Sequence, residues 1–147
     1  MPPITCHILD TTRGQPAESV TCAIYYVSEP ISPSDDESAY EVPPSQPFAM
    51  GKTNKDGRIT GWVLNPENSA TLNSELGFAS ESEWTKLKPG IYKIKFLTGQ
   101  YFHRLGPSSR TFFPFVEITF TVANPPDDHY HIPLLLSNFS YTTYRGS

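Results

Sequence analysis

An all-β chain folded as an antiparallel β-sandwich with one short helix is the fold class this sequence predicts. Apolar and polar residues alternate with period two in several segments, and the segments are of strand length. Gly, Pro and Asn punctuate them, and only one stretch carries a helix signal.

The first alternation runs through Ile4, Cys6 and Ile8 against Thr5, His7 and Leu9, so His7 points away from the side that Cys6 buries. Asp10 to Pro16 supplies turn residues, with Arg13-Gly14 at its centre. A second strand places Val20, Cys22, Ile24 and Tyr26 on one side. These two stretches are expected to pair around the turn, bringing Cys6 and Cys22 near one another as reduced core thiols. Two cysteines are too few for a disulfide framework and lack the C-x-x-C spacing of a zinc site.

From Ser28 to Ala49 the composition shifts to Pro, Ser, Asp and Glu, with acidic residues at Glu29, Asp35, Asp36, Glu37 and Glu41. Such a segment buries little surface and is expected to be an exposed, mobile loop inserted between strands. Lys55-Asp56-Gly57 is a turn signal before the strand Arg58 to Leu64, in which Arg58 falls on the side opposite Ile59 and Val63. Ser80-Glu81-Ser82-Glu83 has capping-box spacing, and Trp84 and Leu87 lie three apart, so the short helix is expected here, ended by Pro89-Gly90. Tyr92, Ile94 and Phe96 share one strand face against Lys93 and Lys95. Val116, Ile118, Phe120 and Val122 repeat the pattern against Glu117, Thr119 and Thr121. At 147 residues without an internal repeat, a single domain over residues 1–147 is expected.

A net charge of −4 gives a phosphate-binding surface no support, so nucleic acid is not an expected partner. No apolar run approaches the roughly 20 residues a membrane helix requires. The opening Met-Pro-Pro-Ile-Thr lacks the regions of a secretory signal. The expectation is a soluble intracellular protein, cytoplasmic by default. The final Arg-Gly-Ser is not the Ser-Lys-Leu peroxisomal address, although a peroxisomal location is the alternative.

Candidate reactive residues are few. His129 and His131 are two apart in a strand, so both leave the same face while Tyr130 and Ile132 turn inward. Alternation also assigns His7, Arg58 and Arg145 to non-core positions in three separate segments. Spacing alone does not show that they meet. His103 reads as an exposed loop residue, Phe112 to Phe115 as packing, and no serine sits in a G-x-S-x-G elbow.

Further signals are local and specific. His7-Ile8-Leu9-Asp10 followed by Arg13-Gly14-Gln15-Pro16-Ala17, the stretch Gly90-Ile91-Tyr92-Lys93, and above all the tail HYHIPLLLSNFSYTTYRGS resemble the transthyretin-like family. The terminal Tyr-Arg-Gly-Ser is similar to the 5-hydroxyisourate hydrolase branch rather than the hormone carriers. The resemblance spans nearly the whole chain apart from the Ser28–Ala49 loop.

That resemblance implies a transthyretin-like (prealbumin-like) sandwich that hydrolyses 5-hydroxyisourate, the product of urate oxidation, at a cyclic amide bond. No cofactor or metal is implied. Carried over position by position, the active-site residues fall on His7, Arg58 and His131. Tyr144, Arg145, Gly146 and Ser147 complete a substrate-binding tail, and His129 plays a supporting part. The family's site lies in a channel between two dimers, which implies a homotetramer. Asn138 stands where the family usually has proline, and Cys6 where threonine is common. Neither change removes a reactive group.

The residue types suit that chemistry. A neutral histidine with a pKa near 6.5 takes a proton from water at neutral pH, and a nearby cation keeps it neutral and stabilises oxyanion charge. Either histidine can activate water or protonate the leaving nitrogen. Two other readings compete: His7, His129 and His131 as metal ligands, and a non-enzymatic carrier of small aromatic ligands on the same sandwich.

Overall fold

The computed structural model describes residues 1–147. In chain order its strands are β1 (Ile4–Asp10), β2 (Gln15–Pro16), β3 (Thr21–Ser28), β4 (Ala49–Lys52), β5 (Arg58–Ile59) and β6 (Val63–Leu64). They continue as β7 (Phe78–Ser80), β8 (Glu83–Trp84), β9 (Gly90–Phe96), β10 (Val116–Val122), β11 (Tyr130–Leu136) and β12 (Tyr141–Thr143), with helices α1 (Ala70–Glu75) and α2 (Thr98–Leu105). One sheet runs β12-β11-β1-β2 with β5 also on β1, and the other runs β10-β9-β3-β4-β6. Ile4, Cys6 and Ile8 of the first sheet and Cys22, Ile24, Tyr92, Ile94 and Phe96 of the second have no exposed surface, and all belong to one hydrophobic cluster. Each buried aliphatic or aromatic side chain contributes about 1.5–3 kcal/mol relative to exposure, so these inner faces hold the sandwich together.

The mostly antiparallel sandwich agrees with the sequence, with one exception. β1 and β11 pair in parallel, Ile4 opposite Tyr130 through Asp10 opposite Leu136. Antiparallel neighbours joined by a hairpin are forced into opposite directions, whereas these two strands come from opposite ends of the chain and no short turn dictates their sense. Alternation is the same for either direction when one face is covered, so it did not discriminate.

β1 does not pair with β3 around the Arg13-Gly14 turn. It pairs there with the two-residue β2, and β3 crosses to the other sheet, where its neighbours are β9 and β4. Cys6 and Cys22 belong to different sheets, and both are buried free thiols. Burial, followed by the Cys22 thiol, pushes the Cys6 thiol well above its ordinary pKa.

The helix expected after Ser80 is replaced by the β7–β8 hairpin. Phe78 stacks on Trp84 with ring centroids 4.9 Å apart, and the Trp84 indole N–H donates to the Leu76 carbonyl at 3.0 Å. Burying two large aromatics outweighs a local capping signal worth about 1 kcal/mol. Helices form elsewhere. Ser69 caps α1 by accepting from the Leu72 N–H, and α2 buries Tyr101 and Phe102. His103 is exposed as expected, but on α2 rather than in a loop.

Residues 29–46 are almost wholly exposed or half-buried, broken by a 3-10 turn at Glu37–Tyr40 capped by Asp36. The loop ends earlier than its composition suggests, because Phe48 is buried and its N–H donates to Ile24, and Ala49 already begins β4. The segment from Arg58 to Leu64 is likewise not one strand. β5 lies on β1 and β6 on β4 in the opposite sheet, so the chain changes sheets at Thr60-Gly61, burying Trp62 and leaving Val63 exposed.

Asn138 has an observable role in the β11–β12 turn. Its amide N–H group donates to the Arg110 carbonyl at 2.6 Å and to Ser109 Oγ at 3.2 Å, while its Oδ1 accepts from Thr12. Asn138→Ala is expected to lower stability by about 1 kcal/mol, read as a fall in Tm, with turnover unchanged. An unchanged Tm would show that these exposed bonds are replaced by water.

Candidate active site

The outer face of the first sheet collects the reactive residues that the sequence scatters. On β1, Thr5, His7 and Leu9 point outward because Ile4, Cys6 and Ile8 point into the core. β5 lies on one side of β1 and sets Arg58 directly across from His7. β11 lies on the other side and sets His131 directly across from Thr5. Two cross-strand registers therefore bring His7, Arg58 and His131 onto one surface.

Arg58 reaches its place through a tight turn. Asn54 Oδ1 accepts the N–H groups of Asp56 and Arg58, and Gly57 adopts a φ of +75°. A Cβ on Gly57 would lie 2.4 Å from the Ile8 carbonyl oxygen, so only glycine lets the turn approach β1 this closely. The Ile8 N–H donates to the Gly57 carbonyl at 2.8 Å and locks the approach.

His131 is held from two sides. Its Nδ1 lies 2.8 Å from Thr5 Oγ1, and the same hydroxyl lies 3.0 Å from His129 Nε2. The two imidazoles stack at 6.3 Å between centroids. On the other side the terminal segment returns beside β11, where the Gly146 N–H donates to the His131 carbonyl at 2.9 Å. A Cβ on Gly146 would lie 2.6 Å from His131 Cδ2, so the glycine leaves room for the ring.

Thr5 went unnoticed in the sequence as a site residue. The available signal was its position two before His7, which puts both side chains on one face. Its importance depends on the β1–β11 register, which no local pattern carries.

The tail divides between the two sides of its strand. Gly146 faces His131, whereas Arg145 turns the other way. Its Nη2 donates to Asp127 Oδ2 at 3.1 Å, and its guanidinium sits 4.6 Å over the Tyr130 ring. Within one chain Arg145 thus clamps the terminal segment, and with Tyr144 and His131 it lines one cavity of about 230 Å³ beside β10. Tyr144 is exposed, and Ser147 follows immediately after the bridge to His131.

Both site histidines have pKa values below the ordinary one. For His7 the causes are burial and then the Arg58 charge. For His131 they are burial, then Arg58, with smaller contributions from His129 and His7. Desolvation and a neighbouring cation both disfavour imidazolium, so each ring stays a neutral base to a more acidic pH than free histidine. Removing the cation with Arg58→Ala should raise both pKa values, moving the titrations of the ring C–H signals in NMR to higher pH. Unmoved titrations would show that the guanidinium charge does not reach the rings.

Residues 4–146 match the HIUase/Transthyretin family. The chain belongs to this family. Among its relatives in that family is a probable 5-hydroxyisourate hydrolase of Schizosaccharomyces pombe, 39% identical over 146 residues covering 99% of this chain and 92% of the relative. The 5-hydroxyisourate hydrolase of Mus musculus is 35% identical over 147 residues, covering 99% and 95%. The solved structure of Klebsiella pneumoniae 5-hydroxyisourate hydrolase aligns with a TM-score of 0.63 at 26% identity, over 98% of both chains. These relatives are named as hydrolases, and the chain is a hydrolase.

Proposed function

We propose that this chain hydrolyses 5-hydroxyisourate to 2-oxo-4-hydroxy-4-carboxy-5-ureidoimidazoline in urate degradation. The observation that carries the reading is the pair of strand registers placing two depressed-pKa imidazoles around one guanidinium. The relatives named for this activity supply the substrate.

In this mechanism water attacks the carbonyl of the six-membered ring while a neutral imidazole takes its proton. The ring C–N bond then breaks, and an imidazolium returns a proton to the departing nitrogen. His7 and His131 share these two tasks. Arg58 stabilises the tetrahedral oxyanion and keeps both rings neutral between turnovers. No metal is needed, since a neutral base and a fixed cation supply the nucleophile and the oxyanion contact.

The tail contributes by shaping the pocket. Gly146 spaces the His131 ring, and Arg145 anchors the strand through Asp127. Tyr144 and Ser147 bind substrate from the edge, with His129 in support. The face carrying these groups is open in one chain, with Leu9 and Leu135 half-buried on it directly across from each other. A homotetramer that apposes two such faces would close the pocket and cover these apolar residues. Sedimentation analysis tests this, and a monomer with full activity would end the tetramer proposal.

The deciding experiment for the activity is the ultraviolet decay of freshly generated 5-hydroxyisourate with and without the protein. Accelerated decay is expected. Decay at the spontaneous rate, together with saturable iodothyronine binding, would replace the enzyme reading with that of a carrier.

A further inference from the structure

Thr5 stands between two imidazoles with a single proton to give. Its side chain is only 8% exposed, and its hydroxyl touches His131 Nδ1 at 2.8 Å and His129 Nε2 at 3.0 Å. A hydroxyl donates once and accepts twice. It can therefore donate to one ring only, and the other ring keeps its bond only by presenting an N–H. The proton positions on the two histidines are coupled through this oxygen.

Both rings can donate to Thr5 at once, which leaves the hydroxyl proton without a partner among its contacts; two further arrangements satisfy both bonds and also use that proton. In one, Thr5 donates to His129 Nε2 and accepts from His131 Nδ1–H, leaving His131 Nε2 bare as a proton acceptor. In the other, His129 Nε2–H donates to Thr5, and Thr5 donates to His131 Nδ1, so His131 carries its proton on Nε2 as a donor. Passing from the first to the second removes a proton from His131 Nδ1, adds one to His131 Nε2 and adds one to His129 Nε2, and so converts His131 Nε2 from proton acceptor to donor.

We infer that His129, Thr5 and His131 form a proton relay that switches His131 Nε2 between acceptor and donor within one hydrolytic cycle. The inference rests on the hydrolase reading above. As the water oxygen bonds to the carbonyl carbon, its proton passes to His131 Nε2. The Nδ1 proton moves to Thr5 Oγ1, and the former hydroxyl proton moves to His129 Nε2. When the C–N bond breaks, these two transfers reverse and the Nε2 proton leaves with the ring nitrogen. No proton is gained or lost by the relay over the cycle.

The electrostatics give the relay a purpose. Without it His131 would become an imidazolium next to Arg58, with His7 and His129 also facing it, where positive charge is disfavoured. The relay carries that charge one residue further out. His129 lines an open cavity of about 510 Å³ that is also lined by Glu83 and Asp128, and its carbonyl faces the Arg145–Asp127 pair. His129 is half-buried at that opening and lies farther than His131 from Arg58, which the strand registers set across from His7. Thr5 and His129 are thus positioning residues acting through His131.

The test compares Thr5→Val, Thr5→Ser and His129→Gln. Valine keeps the shape of threonine without the hydroxyl, and glutamine can hydrogen-bond but not take the proton. Partners that orient a metal-bound histidine typically contribute about 10–100-fold, and the same order is expected for a histidine that moves a proton. Thr5→Val and His129→Gln should lose about that much kcat with little change in KM, and Thr5→Ser should recover most of it. The acid limb of kcat/KM in His129→Gln should move to higher pH, because one charge that lowers the His131 pKa is gone. Wild-type kcat in Thr5→Val would overturn the relay.

A second readout needs no turnover. In ring ¹⁵N spectra of the free protein, protonation of His129 should shift the His131 tautomer toward Nε2–H, and Thr5→Val should abolish that response. The same response in wild type and Thr5→Val overturns the relay even if hydrolysis is robust. A response lost only in the variant, in a protein that does not accelerate 5-hydroxyisourate decay, supports the coupled pair while refuting the hydrolase reading.

Discussion

His131→Ala is expected to lower the kcat for 5-hydroxyisourate by roughly 10²–10⁴, the range a positioned general acid or base contributes. His7→Ala should fall in the same range. Both side chains are on the outer face and neither fills the core, so the variants should fold and keep Tm close to wild type. Arg58→Ala should lose activity through a different route. It removes oxyanion stabilisation, which typically costs about 10²–10³ in kcat, and it also raises the pKa of the remaining bases. The two effects separate on a pH profile, since the acid limb moves most for the arginine variant, Arg58 being the leading charge on both rings. Wild-type rates in all three variants would remove this constellation from the chemistry altogether.

Gly146→Ala should be nearly as damaging, although alanine brings no functional group. The new methyl would stand 2.6 Å from His131 Cδ2, closer than side-chain contacts allow, and 3.1 Å from Pro133 Cγ, a tight contact that a small shift relieves. Either the imidazole turns or the terminal segment leaves β11, breaking the Gly146 N–H bond to the His131 carbonyl. Misplacing a reacting group by about 1 Å costs on the order of 10² in rate, so a fall of that size in kcat is expected. Destabilisation should be small, because the segment pairs with β11 through a single bridge. A crystal structure of the variant checks the cause, with a displaced His131 ring as the expected result. An undisturbed ring with full activity would show that the tail gives way without consequence.

Local composition identified several elements with good physical reason. Alternation marked β1, β9, β10 and β11, since a strand covered on one face must repeat every second residue. The same rule assigned His7 and His131 to the outer surface, and the Lys55-Asp56-Gly57 turn marked the approach to Arg58. The failures were places where distant burial overrode local preference. Ser80 to Glu83 has the spacing of a helix start, but Phe78 and Trp84 stack in a hairpin instead. Arg58 to Leu64 alternates like one strand, yet Trp62 enters the core and the chain passes from one sheet to the other.

The residue order by itself determined which side chains lie on the outer faces of the long strands, because period-two geometry is a local property. Through the family resemblance of its tail and opening stretch, it also named the candidate set His7, Arg58 and His131. Only the tertiary structure decided that β1 would be flanked by β5 on one side and, in parallel, by β11 on the other. That pairing joins residues more than 120 positions apart, as in the contact of Thr5 with His131. Register between such distant strands depends on the closing of the whole core, and no window of neighbouring residues encodes it. The convergence of two imidazoles on one threonine hydroxyl, and of a guanidinium beside them, follows from that closure.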